Sequence, residues 1–153
     1  MKNYQFRNGL GMLLGFTAFF FLMKGLGLYT DVNFRSLNFL IHGAFIFLAI
    51  RKYRSTQNES FNWLATFLVG IRTSILPIIG FSIFQFIYLQ FIDPAFMIEV
   101  KATALMGGFL TPALASVWLI FEGLGVSIFV SYLTMRYFTV QEKVPSLSKE
   151  SVE

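Results

Sequence analysis

The chain has 153 residues, of which 56% are hydrophobic and 13% are charged, with a formal net charge of +4 and no cysteine. A typical globular protein has about 25% charged residues, so this composition excludes an ordinary soluble domain. The absence of cysteine excludes disulfides and thiolate metal sites. The basic residues form no stripe of the kind that binds nucleic acid, so we do not expect nucleic acid as a partner. The expected partner is the lipid bilayer.

Four apolar stretches occupy most of the chain, over residues 8–29, 32–53, 63–92 and 112–138. A helix needs about 20 mostly apolar residues to cross a bilayer. The sequence therefore predicts an all-α, multi-pass membrane protein with four transmembrane helices in one bundle. The second stretch is the weakest, because its clean apolar part covers only residues 37–50 and contains His42. We expect it to span the membrane with an extension through residues 32–37.

Basic residues predict the orientation of these spans, because short loops rich in Lys and Arg remain cytoplasmic. With both termini in the cytoplasm, eight basic residues fall on the cytoplasmic side and only two or three fall outside. The eight cytoplasmic residues are Lys2, Arg7, Arg51, Lys52, Arg54, Arg136, Lys143 and Lys149. We therefore expect both termini to be cytoplasmic. Residues 139–153 are polar and are predicted to form a disordered cytoplasmic tail.

Two proline pairs indicate helix starts in the outer loop between spans 3 and 4. Asp93 before Pro94 and Thr111 before Pro112 each place a capping side chain ahead of a proline at the first helical position. The first pair predicts a short helix over residues 95–106, lying along the membrane interface. The second predicts the start of the fourth span.

Four polar residues, one from each span, fall at similar depths when residues are counted from the ends of the apolar stretches: Lys24, His42, Gln85 and Glu122. A fifth, Asn38, lies one helical turn before His42 on the same face. Glu122 lies about ten residues into the fourth span, about 15 Å from its start. A charge near the bilayer centre costs about 2.5–3.5 kcal/mol on insertion scales, so it must be protonated, paired or facing water. We predict that the five side chains form one buried polar cluster in the outer leaflet. Each also has a structural interpretation, since Lys24 can extend to the headgroups and the others can be satisfied by hydrogen bonds.

Basic residues near the cytoplasmic ends of the spans are expected to contact lipid phosphate. Arg51, Lys52 and Arg54 lie at the cytoplasmic end of the second span, and Arg72 lies about nine residues inside the third. A long basic side chain at such a position can extend back to the headgroups. Small residues at steps of three, four or seven predict close helix packing: Gly11, Gly15, Ala18 and Gly25, then Gly70 and Ser74, then Gly123, Ser127 and Ser131.

Catalytic and cofactor motifs are missing from the sequence. One histidine and no cysteine make a metal site improbable. No His-x-x-x-His pair, nucleophile elbow or phosphate-binding glycine loop occurs. We therefore expect no catalytic residue, no metal and no cofactor.

Three features of the later spans occur together, namely a span ending in IRKYR, a Phe-led span containing Gly-Ile-Arg, and the exit sequence YLQFIDPAFM. In these features the chain resembles a bacterial membrane-protein family catalogued as domain of unknown function 4199. The resemblance covers residues 37–138 and is best over residues 45–97, whereas the first span matches only in hydropathy. It implies a four-span protein of the bacterial inner membrane, frequent in Bacteroidota. It implies no activity, because the family has none assigned.

Two functions follow as expectations. The first is a non-enzymatic accessory or assembly partner in the inner membrane, binding other membrane proteins or a second copy of itself. The alternative is a small proton-linked transporter or carrier that uses Glu122 with Lys24 or His42. A kinked third helix at Pro77 would suit a carrier.

Overall fold

The computed structural model describes residues 3–28, 37–56, 62–104 and 107–150, with side chains up to residue 141. All regular secondary structure in these residues is helical. The elements are α1 (Asn3–Gly25), α2 (Leu37–Arg54), α3 (Trp63–Ile87) with a π-helical turn (Tyr88–Ile92), α4 (Pro94–Thr103), a 3₁₀ turn (Gly107–Phe109) and α5 (Pro112–Glu150).

Three of the helices are long and apolar enough to cross a membrane, which indicates a membrane protein. They are Asn3–Gly25, Trp63–Ile92 and Pro112–Gln141. The second and third agree closely with the predicted spans. The helix α2 has 18 residues, but three of them are the basic residues Arg51, Lys52 and Arg54. It is therefore not apolar enough over its length to join this group. The extension predicted for it over residues 32–36 lies outside the described residues.

Local signals define the helix ends. Gly27 adopts a φ of 69°, and the bonds from Leu28 N–H to the Met23 carbonyl and from Gly27 N–H to the Lys24 carbonyl end α1 in a Schellman motif. The carboxylate of Asp93 accepts from Phe96 N–H at 3.1 Å, and the hydroxyl of Thr111 accepts from Leu114 N–H at 3.2 Å. Both predicted N-caps are therefore confirmed.

The end of α5 differs from the prediction. Residues 139–153 were expected to be a disordered tail, but the helix continues through Glu150. Once a helix exists, each added residue except Pro145, which has no N–H, gains one backbone hydrogen bond without a new nucleation step. The loss of apolar residues after Phe138 marks the end of the apolar stretch and does not end the helix.

The long helices alternate in direction. Contacts of Gly9 with Thr73 and of Gly80 with Leu13 show that α1 and α3 run parallel. Gly70 meets Ser131 and Gly123 meets Ile78, so α5 runs antiparallel to α3. We call the end where α1 begins and α2 ends the basic end, and the opposite end, where α4 lies, the α4 end.

Small residues allow these close approaches, as predicted for the third and fourth spans. A β-carbon at Gly123 would lie 2.8 Å from Ile78 Cγ1, and one at Gly70 would collide with the hydroxyl of Ser131. In α1 the prediction is only partly right. Gly11 and Gly15 pack against α2, whereas Ala18 is exposed and a β-carbon at Gly25 would meet nothing within 4 Å.

Candidate functional site

A buried histidine lies among three helices and defines the polar centre, which consists of His42, Ser74 and Ser127. His42 belongs to α2 and is 3% exposed. Its Nε2 atom lies 3.1 Å from the Ser74 hydroxyl on α3 and 3.0 Å from the Ser127 hydroxyl on α5. The ring of Phe16 packs edge-on against the imidazole at 5.5 Å. The polar centre therefore joins α2, α3 and α5 through one imidazole nitrogen.

The two serine hydroxyls also bond to their own helices. Ser74 Oγ donates to the Gly70 carbonyl at 3.1 Å, and Ser127 Oγ donates to the Gly123 carbonyl at 2.7 Å. Each hydroxyl has one hydrogen and two lone pairs. With both hydrogens directed to carbonyls, Nε2 is the donor and its N–H is shared between the serines. Nε2 of His42 and both serine hydroxyls are thus hydrogen-bonded within the chain, as expected of a group that holds helices together in lipid.

Lys24 forms a second polar group at the α4 end, which we call the Lys24 clamp (Lys24, Tyr88, Asp93 and Phe96). Its ammonium is hydrogen-bonded to the Asp93 carboxylate and to the Tyr88 hydroxyl. It also lies 4.6 Å from the centroid of the Tyr88 ring and 5.0 Å from that of Phe96, within cation–π range. The clamp ties the end of α1 to the π-helical turn and to the start of α4.

Asp93 has two functions in this clamp. Its carboxylate caps α4 and pairs with Lys24. The hydrogen bond from Lys24, then the one from Phe96 N–H, holds the pKa of Asp93 below its ordinary value of 3.8. The carboxylate is therefore charged at neutral pH, and the Lys24 charge is neutralised within the protein.

Glu122 lies apart from both groups. It is exposed on α5, five residues before Ser127, which corresponds to about 140° around a helix of 3.6 residues per turn. Because Ser127 points inward to His42, Glu122 points away from the polar centre. We call this surface, formed by Trp118, Phe121, Glu122 and Gly125, the outward face of α5. Trp118 is 68% exposed and Phe121 is 66% exposed.

The predicted cluster of five residues is therefore not assembled. His42 joins two serines, Lys24 joins Asp93, and Glu122 lies on the outward face of α5. Gln85 is buried at 6% exposure, but it follows Ser74 on α3 by 11 residues, about 16 Å along the helix axis. Asn38 lies one turn before His42, and its Oδ1 is buried with no hydrogen-bond partner in the described residues.

Counting residues from the ends of the apolar stretches failed for a physical reason. It assumes that all helices begin at the same depth, whereas α2 begins at Leu37, only five residues before His42. Because Ser74 lies near the middle of the Trp63–Ile92 segment, its bond to His42 fixes that residue near mid-depth. His42 is therefore closer to the bilayer centre than Lys24 or Gln85.

The family assignment rests on a family model described as Protein of unknown function (DUF4199), which matches residues 7–108. The chain belongs to this family. The resemblance noted in the sequence is thereby confirmed, although its extent differs. The match includes α1, where only hydropathy was seen to agree, and stops before α5. No curated protein and no solved structure matches the chain.

The family match contains His42, Ser74 and the whole Lys24 clamp, but not Ser127 or Glu122. In this DUF4199 member, the polar centre thus depends on a residue outside the matched segment. No group of three or more His, Asp or Glu side chains able to hold a metal occurs in the part of the chain that the structure describes.

Sequence reasoning missed three functional residues of this DUF4199 protein. Ser74 and Ser127 were interpreted only as small packing residues, and Asp93 only as a helix cap. One signal was available for Asp93, because it and Lys24 are oppositely charged and both close a span at the same end. No sequence spacing pairs His42 with Ser127, because 85 residues separate them.

The predicted lipid contacts occupy suitable positions. Arg51, Lys52 and Arg72 are exposed and Arg54 is half-buried. Arg72 lies in the third turn of α3, beside a cavity at the basic end. These basic side chains remain candidates for contact with phosphate groups.

Proposed function

We propose that this DUF4199 member is a non-enzymatic integral membrane protein of the bacterial inner membrane that acts as an accessory or assembly partner of another membrane protein. The partner binds the outward face of α5. The observation that carries this proposal is the exposure of Glu122 at mid-depth on that face.

The depth of Glu122 follows from packing. The neighbouring residue Gly123 contacts Ile78, which is the midpoint of the Trp63–Ile92 segment. A carboxylate exposed to lipid at the bilayer centre costs several kcal/mol. A partner that covers the outward face shields the exposed carboxylate from lipid and adds a basic or hydrogen-bond-donating group to the interactions that Glu122 makes within the chain.

The chemistry of the outward face favours a different protein over a second copy of this chain. A two-fold symmetric contact places the same surface patch on both sides. Such a dimer through this face would bring two Glu122 carboxyl groups together, and like charges in a low dielectric repel strongly. A helix carrying Lys, Arg, Asn or Gln opposite Glu122 is the complementary partner.

In this proposal α2 is a fourth membrane-embedded helix, and both termini are cytoplasmic. Twelve residues, about 18 Å of helix, separate His42 from Arg54, so α2 extends from mid-depth to the basic end. The basic end carries Arg7, Arg51, Lys52 and Arg54, and basic ends remain cytoplasmic. The helix α4, with exposed Ile98 and Phe109 in the turn after it, then lies at the outer interface.

Two arrangements support an accessory protein over a proton-linked carrier that uses Glu122 with Lys24 or His42. Glu122 faces away from His42, and Lys24 is engaged by Asp93 at the α4 end. A carrier needs its coupled groups on one pathway. The serines beside His42 are fully buried, so a substrate cannot reach their hydroxyl groups. This burial supports a non-enzymatic role.

The test is native mass analysis of the tagged protein, extracted in mild detergent at natural expression level, for the wild type, Glu122→Lys and Glu99→Lys. Glu99 is exposed on α4 and provides the same charge change away from α5. We expect a stoichiometric complex with another membrane protein in the wild type and Glu99→Lys, and its loss in Glu122→Lys. A monomer or a homo-oligomer in the wild type would contradict the proposal and favour the carrier.

A further inference from the structure

A cavity of about 660 Å³ opens at the basic end, between the first turn of α1, the last turn of α2 and the first three turns of α3. Its polar lining consists of Tyr4, Gln5, Tyr53 and Arg72, and Leu68 is part of its apolar wall. None of the lining residues that the structure describes is acidic. Cavities of this size are typical of small-ligand sites.

The cavity exists because α1 is shorter than α3 at this end. Gly9 lies against the carbonyl of Thr73. From that contact, α1 extends six residues to Asn3, whereas α3 extends ten residues to Trp63. The difference of four residues corresponds to about 6 Å. The first turn of α1 therefore lies beside the cavity with α3 extending past it.

The electrostatics of the cavity favour an anion. The side chain of Arg72 is exposed beside it, and the planar shape of a guanidinium group suits two parallel hydrogen bonds to phosphate. The first amides of α1 carry the positive end of the helix dipole. Arg51 and Lys52 are exposed in the last turn of α2, at the same end of the protein.

One lining group has an unused hydrogen bond. The hydroxyl of Tyr4 is buried and has no hydrogen-bond partner among the described residues. Buried hydroxyls in proteins are nearly always hydrogen-bonded. Tyr4 and Arg72 both line the cavity, and a phosphate oxygen held by Arg72 would supply the acceptor that this hydroxyl lacks.

We propose that the basic-end cavity binds a phosphate-bearing anion, with Arg72 and the Tyr4 hydroxyl as its ligands. The phosphate comes either from the headgroup of an anionic lipid or from a soluble phosphate compound. The apolar wall formed by Leu68 and Val69 continues into the membrane-crossing part of α3, which suits a lipid.

The first arm of the test uses native mass spectrometry of the intact protein in neutral detergent with phosphatidylglycerol or with zwitterionic phosphatidylcholine. Variants are Arg72→Gln, Tyr4→Phe and the control Arg136→Gln, which removes an equal charge from an exposed position on α5. We expect Arg72→Gln to weaken phosphatidylglycerol retention at least tenfold and Tyr4→Phe several-fold, with Arg136→Gln unchanged.

The second arm replaces lipid with inorganic phosphate and measures the shift in melting temperature. A shift that depends on Arg72 and Tyr4, without preference for phosphatidylglycerol, assigns the cavity to a soluble phosphate. Equal effects of Arg72→Gln and Arg136→Gln in both arms, or no binding in either, overturn the proposal. Circular dichroism confirms folding, and Tyr4→Phe, which removes one oxygen, keeps the test valid if Arg72→Gln unfolds.

Discussion

The two faces of α5 treat polar groups in opposite ways. On the inward face, Ser127 bonds to His42 and to its own helix, and Gly123 allows close contact with α3. On the outward face, Glu122 is exposed among Trp118 and Phe121 at the same depth. Lipid offers no hydrogen bonds to either face. Ser127 and His42 are therefore paired within the chain, whereas Glu122 lies exposed on the face that we propose a partner protein covers.

The largest expected effect distinguishes two glycines that are two residues apart on α5. Gly123→Leu forces a side chain into Ile78, and overpacking of this kind costs about 1–3 kcal/mol in free energy of unfolding. Gly125→Leu adds the same side chain where nothing lies within 4 Å, so we expect a change within about 0.5 kcal/mol. Denaturant titration of both purified variants measures the difference. Equal destabilisation would show that the two faces of α5 are not distinct.

A smaller effect is expected from the loss of either hydroxyl of the polar centre alone. Ser74→Ala or Ser127→Ala alone leaves Nε2 of His42 with one acceptor. Each variant should therefore lower the free energy of unfolding by about 0.6 kcal/mol, the mean for such bonds in membranes. The double variant leaves a buried N–H unpaired and should cost about 1–3 kcal/mol more than the sum.

Ser131→Ala is the matched control for the serine variants. Ser131 is fully buried on the same face of α5, one turn further along, and its hydroxyl has no hydrogen-bond partner among the described residues. We expect this variant to unfold with unchanged or slightly higher free energy. Strict additivity of the two serine substitutions would refute the shared N–H.

The smallest effect concerns the Lys24 clamp, a polar group that water can reach. The folded-state pKa of Asp93 is below its ordinary value of 3.8, so the pair contributes stability above that pH and loses it as pH falls through the folded-state pKa. As the pH is lowered from 5 through the folded-state pKa of Asp93, we expect the melting temperature of the wild type to fall more steeply than that of Asp93→Asn. The asparagine keeps the helix cap but cannot titrate. Parallel curves would show that the pair adds no stability.

Hydropathy and local signals predicted the helical fold well. The two later spans and the caps at Asp93 and Thr111 appear where the sequence placed them, because length, apolarity and capping chemistry act locally. The candidate site was predicted poorly. The partners of His42 and Lys24 depend on which helices are neighbours and at what relative height, and α2 begins five residues before His42. No periodicity within one helix encodes that height.

Coverage of the outward face of α5 by another protein is the central feature proposed for this molecule, and photocrosslinking in the living membrane tests it directly. A photoreactive residue replaces Gly125 on the outward face or, as the control, Leu14, which is 63% exposed on α1 and next to Leu13, the contact of Gly80. We predict one discrete protein adduct from position 125, abolished by Glu122→Lys, and none from position 14. Adducts with lipid alone at both positions would contradict the account.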